Sequence, residues 1–240
     1  MKRYVKFFEH LRNELKTKTS RIDFHLHTNW TDGAASVIEM YEKSCEMQLE
    51  FILFSEHARS TSSEWFATFA KEVKALPTMP CRAYVGVEAR VVDCSGNIGL
   101  GTDILSWCDM VVCSVHRFPG VNGDVLSFDN FDKKAALLKE FELLLAILDN
   151  SLVDILGHPF GISMSRFGIS PTDDMLRAIV QKAQQNGIAI EINTKYCTDP
   201  SKLLAFCDKY RAPISIGSDA HSCNEVGDAM KIIEGLTRHD

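Results

Sequence analysis

The segment 153–194 runs Val153-Asp-Ile-Leu-Gly-His158, a helical pattern from Thr172 to Asn186, and Ile188-Ala-Ile-Glu-Ile-Asn-Thr194. Its two flanks are short, β-branched and nearly continuous apolar runs, the pattern of parallel strands buried on both faces. Between them, Pro171-Thr172-Asp173-Asp174 reads as a helix start with acids favoured by the helix dipole, and Gly187 as the C-cap leading into the next strand. Strand, helix and strand in this order predict a parallel α/β protein.

The same rhythm extends outward in both directions. Further strands are expected at Arg21–Thr28, Phe51–His57, Arg82–Val92, Met110–His116 and Ile214–His221, with Val153–His158 and Ile188–Thr194 making seven. Helical patterns lie at Ser36–Met47, Ser63–Ala75, Phe131–Leu148, Thr172–Asn186, Pro200–Tyr210 and Asn224–Leu236. A closed or nearly closed (β/α) barrel is the natural reading, and an open doubly wound sheet the second. Tyr4, Phe8, Leu11 and Leu15 follow helical spacing ahead of the first strand. Residues 1–20 are therefore expected to form a helix packing on the barrel's lower end, and residues 21–240 the barrel domain. No repeat, low-complexity tract or Pro/Gly linker divides the chain.

Composition narrows the partners. With 240 residues the chain can bury a large single core without covalent staples. A net charge of −6 disfavours nonspecific nucleic-acid binding and anionic membranes, which want a basic footprint. The longest purely aliphatic run, Leu143 to Leu148, is too short to span a bilayer, and the N-terminus lacks the apolar core of a signal peptide. Eight cysteines form no C-x-x-C pair, and several sit in apolar runs, so reduced thiols and a cytoplasmic location are expected.

The histidines carry the strongest signal. Of the eight, His10 and His239 lie near the termini, and the other six (25, 27, 57, 116, 158 and 221) fall at the C-terminal ends of expected strands. Barrel enzymes build their active sites at that face. Side chains alternate along a strand, so His25 and His27 share a face, as do Asp219 and His221. Together they make a metal nest of hard N and O donors, which favours hydrolytic metals over a structural zinc–thiolate site. Glu88 interrupts the run Tyr-Val-Gly-Val-Glu-Ala, where an unpaired carboxylate is costly. It either bridges metals or pairs with an arginine such as Arg90.

The motifs Asp-Phe-His-Leu-His-Thr (23–28), Ser-Glu-His (55–57), Gly-Val-Glu (86–88), Ser-Val-His (114–116), Gly-His-Pro (157–159), Glu-Ile-Asn-Thr (191–194) and Ser-Asp-Ala-His (218–221) occur in this order. In these the sequence resembles the PHP (polymerase and histidinol phosphatase) family of metal-dependent phosphoesterases. The resemblance implies a distorted (β/α)7 barrel with a metal site at the C-terminal ends of its strands. It implies two or three divalent ions (Zn, Mn or Fe): one on His25, His27, Glu88 and Asp219, a second on Asp32, His57 and His221, a third on Glu88, His116 and His158. It also implies hydrolysis of a small phosphorylated metabolite, with Asp219 or His221 as the acid–base residue. Where many members read Thr-Asp-His, this chain has Glu56; by strand parity Glu56 faces away from the mouth and is read as structural, in a salt bridge.

One departure bears on substrate. Histidinol phosphatases of the family carry a further His six residues past the second His of the first motif; here that position is Gly33, preceded by Asp32. Thr-Asp-Gly resembles the Ser-Asp-Gly of members acting on other phosphate esters, although Asp32 also reads as a plain Asp-Gly turn. Cations for the phosphate are sought in Arg59, Arg117, Arg166 and Lys195, and this set points to an ester with a second anionic group rather than histidinol phosphate. Competing readings are histidinol phosphatase activity, an amidohydrolase-type C–N hydrolase, and a non-catalytic metal-binding module. The second places a bridging Lys where His116 stands, and the third accompanies long chains with basic domains.

Overall fold

The computed structural model describes residues 4–14, 21–121 and 124–237. Its nine strands are β1 (Ile22–Leu26), β2 (Phe51–His57), β3 (Arg82–Arg90), β4 (Met110–Ser114), β5 (Phe118–Pro119), β6 (Val125–Leu126), β7 (Ile155–Leu156), β8 (Ala189–Asn193) and β9 (Ile214–Gly217). All but β5 and β6, a small antiparallel hairpin, join one parallel sheet in the order β1-β2-β3-β4-β7-β8-β9. The sheet curls until the chain after β9 meets β1: Leu26 and Ala220 form a parallel bridge, with His27 N–H donating to Ala220 O at 2.9 Å. This is the expected distorted (β/α)7 barrel. The distortion has two visible sources, the two-residue β7 and a seam closed by a single bridge.

The helices are α1 (Val5–Glu14), α2 (Val37–Glu46), α3 (Ser63–Ala75), α4 (Thr102–Trp107), α5 (Lys133–Leu148), α6 (Gly161–Ser165), α7 (Asp173–Asn186), α8 (Pro200–Tyr210) and α9 (Asp228–Thr237). Helix α7 shows how the local code works. The Thr172 side chain accepts from Met175 N–H, Asp173 and Asp174 sit in the first turn, and Gly187 ends the helix at φ 64°. Its buried stripe is Leu176, Ile179, Val180 and Ala183. The six expected helices are present; α4, α6 and the β5–β6 hairpin were not foreseen.

Helix α1 lies across the N-terminal ends of the strands. Phe8 and Leu11 are buried, and Phe7 stacks on Phe24 of β1 and meets Phe51 of β2 edge-on, each at 5.6 Å between ring centres. Leu15 and His239 lie outside the described residues. With the bottom sealed by aromatics, the opposite end is left for polar side chains. No helix among the described residues is long and apolar enough to cross a membrane.

Candidate metal centre

The strands stop earlier than their sequence suggested, and this shapes the site. β1 ends at Leu26, β4 at Ser114, β7 at Leu156 and β9 at Gly217, so His27, His116, His158, Asp219 and His221 stand on the chain just beyond the sheet. His158 and Asp219 adopt φ of 22° and 54°, which turns the backbone inward instead of letting it run on as strand. Asp219 and His221 thus converge by a left-handed turn, not by strand alternation.

Three groups of donor atoms result, each within 4.8 Å of one another: His25, His27 and Asp219; His27, Asp32, His57 and His221; and Glu88, His116 and His158. Every metal-ligand candidate read from the sequence is in one of them. Asp32, half exposed at the rim, lies 3.3 Å from His57 Nε2 and 3.5 Å from His221 Nε2, so it is more than a turn residue. Its neighbour Gly33 has no room for a side chain, because a Cβ there would lie 2.5 Å from His27 O. This backbone therefore excludes the additional histidine at that position.

Glu88 is the hub. Its Oε1 lies 3.0 Å from His158 Nε2 and 3.1 Å from His116 Nε2, while Oε2 lies 3.2 Å from His57 Nδ1, 3.4 Å from His25 Nε2 and 3.5 Å from His27 Nε2. Its partners are imidazoles, not Arg90. Burial alone would raise the Glu88 pKa, but His116 and His25 hold it well below the usual carboxylate range. Burial likewise disfavours charge on His25, yet Glu191, Glu88 and Asp219 lift it well above an ordinary histidine. His27 goes the other way, pushed down to about 4 by burial. His25 Nε2 and both ring nitrogens of His27 are buried and make no hydrogen bond. Orphaned buried nitrogens are costly, and ones aimed at carboxylates in a cluster of hard donors fit a divalent cation.

A supporting layer fixes these rings. Glu191 Oε1 meets His25 Nδ1 at 2.6 Å, and its Oε2 accepts from His158 N–H at 2.6 Å. Such a carboxylate behind a histidine sets which ring nitrogen faces a metal. Gly217 makes room for it, since a Cβ there would sit 2.1 Å from Glu191 Oε1. Asp23 accepts from Ser218 N–H, Ser218 Oγ and Gly227 N–H, and so anchors the turn that carries Asp219. Glu56 belongs to none of the donor groups, and the expected salt bridge is replaced by hydrogen bonds from Thr28 N–H, Thr28 Oγ1 and Thr31 Oγ1. These bonds pin the loop behind His27, and burial raises the Glu56 pKa to about 7.

The expected cations separate. Arg59 and Arg117 line a cavity with His57, Glu88 and His116, joined by Arg90, which sequence reading considered only as an ion-pair partner. Lys195 Nζ donates to Asp219 O at 3.1 Å. Arg166 instead lies over the Phe128 ring at 4.6 Å and does not line that cavity. Tyr196 was not foreseen: its ring lies 4.9 Å from that of His158.

Comparison with known proteins agrees with this geometry. A "probable phosphatase" of Clostridium novyi is 29% identical over 233 residues, covering 91% of this chain and 86% of the relative. Among solved structures, one from Listeria monocytogenes named for histidinol phosphatase activity superposes with a TM-score of 0.71 at 16% identity, covering 88% of this chain and 99% of the other. The histidinol phosphate phosphatase of Lactococcus lactis, solved with zinc, L-histidinol and phosphate, gives 0.66 at 17% identity, covering 92% and 94%. At such identities these two speak for the barrel alone. The model of the PHP domain family matches residues 23–195, from the aspartate that anchors the Asp219 turn to the lysine that contacts it, and the chain belongs to that family.

Proposed function

We infer that the chain is a metal-dependent phosphoesterase acting on a small phosphorylated metabolite. The observation that carries this is the convergence of five imidazoles on the single carboxylate of Glu88, beside buried ring nitrogens that no protein group satisfies. In this reading His25, His27, Glu88 and Asp219 hold one ion, Asp32, His57 and His221 a second, and Glu88, His116 and His158 a third, with Zn, Mn or Fe as candidates. Divalent ions there supply a lowered water pKa and charge neutralisation for phosphoryl oxygens.

The chain's own residues do the rest. Glu191 holds the His25 ring through Nδ1, leaving Nε2 for the centre. Asp219 is our choice to pass a proton to the departing oxygen, with His221 as the competing residue. The ammonium of Lys195 positions the Asp219 turn. All eight cysteines are free thiols, which supports a cytoplasmic setting.

Phosphate release from a panel of phosphorylated metabolites, using metal-reconstituted protein, tests the reading. We expect at least one small phosphate ester to be turned over and chelator to stop it. Histidinol phosphate belongs in the panel: Gly33 leaves no space for the additional histidine, so it should not show the highest kcat/KM. No turnover of any phosphate ester would overturn the proposal.

The supporting layer gives a second expectation. Glu191→Gln should weaken metal affinity about 10–100-fold, read by competition with a chelating dye. Unchanged affinity would mean that Glu191 serves only to tie the strands together.

A further inference from the structure

Three arginines leave three neighbouring strands on one arc of the barrel mouth. Arg59 follows β2 by two residues, Arg90 is the last residue of β3, and Arg117 lies three past β4. Strand register puts His57 beside Glu88 and Arg90 beside Ser114. Arg90 also shares the strand parity of Glu88 and therefore its face. All three line a cavity of about 240 Å3 together with His57, Glu88 and His116. Among the described residues none of the three is ion-paired to a carboxylate, and Arg59 and Arg117 are exposed. Three guanidiniums that share one cavity without a carboxylate partner repel one another, and a bound anion relieves that repulsion.

Guanidinium groups bind phosphate and carboxylate through two parallel hydrogen bonds each. Cations held by the histidine and carboxylate cluster already answer the charge of one phosphoryl group, so three additional guanidiniums in the same cavity exceed what a monophosphate requires. We propose that Arg59, Arg90 and Arg117 form an anion subsite that selects phosphate esters bearing a second phosphoryl group. This rests on the phosphoesterase reading. It disfavours substrates whose far end is a cationic amine, which would meet three like charges.

Two measurements on the full chain decide it. With metal-loaded protein, kcat/KM for fructose 1,6-bisphosphate should exceed that for fructose 6-phosphate about tenfold or more. Arg59→Gln/Arg117→Gln, a pair of exposed positions that leaves the core untouched, should erase most of that margin, as should Arg90→Gln. If the variants lower both values equally, or if the wild type makes no distinction, the subsite does not exist as proposed. The second measurement is calorimetric binding of fructose 6-phosphate to chelated protein, which involves no turnover. Binding weakened about tenfold in the double variant supports the subsite; equal binding overturns it. If neither ester is hydrolysed by the metal-loaded chain, the phosphoesterase reading fails for this class while the binding measurement still decides the subsite.

Discussion

Glu88→Gln should strip metal from the centre and lower phosphate release by more than about 10²-fold, the two losses appearing together. The carboxylate is buried, held ionised, and surrounded by His25, His27, His57, His116 and His158 at 3.0 to 3.5 Å. A neutral amide of the same shape keeps the packing but offers one acceptor oxygen instead of two anionic ones, so it cannot be shared between cations. The barrel should survive, because its core is aliphatic and aromatic and its lower end is closed by α1. Metal analysis beside circular dichroism checks this. A variant with full metal content would show Glu88 to be an ordinary buried partner of the histidines.

Asp219→Asn should lower turnover roughly 10²–10⁴-fold if its carboxyl handles the proton of the rate-limiting step. Asp219 Oδ1 lies 3.2 Å from His27 Nε2 and 3.6 Å from His25 Nε2, so it is placed both to ligate and to transfer. Metal content separates the two roles. Turnover lost at full occupancy assigns the proton to Asp219; turnover lost with the metal makes it a ligand only. Near-normal turnover at full occupancy transfers the acid–base role to His221 or to water.

The barrel was legible because its strands are continuous apolar runs and its main helices carry their own caps. Thr172 and Gly187 behave as their residue types dictate. Helices α4 and α6 span only six and five residues, too few for a hydrophobic period to show. Strand ends were read too long for a different reason. The expected strands ran on into the polar motif residues after Leu26 and Gly217, but the chain there bonds across the seam rather than along a neighbouring strand, as His27 N–H to Ala220 O shows.

The donor set was legible because unpaired polar residues at strand ends are costly unless something binds them. Its geometry was only partly so. Strand alternation correctly paired His25 with His27, yet the approach of Asp219 to His221 depends on a left-handed turn that no alternation rule contains. Glu191 was read as part of the Glu-Ile-Asn-Thr motif, and its grip on His25 crosses the barrel from β8 to β1, a contact set by closure. Arg90 could have been found by applying to β3 the parity argument that was applied to β1, since it stands two residues after Glu88. The salt bridge assigned to Glu56 failed because the groups nearest that carboxyl are the threonines of the loop it holds.

The most direct test is a metal titration of chelated protein followed simultaneously by bound-ion analysis and phosphate release from a hydrolysed ester. The account expects the chelated chain to remain folded and inactive, and activity to return as two or three divalent ions bind per chain. Saturation at one ion or none, or full activity in the chelated protein, would contradict it.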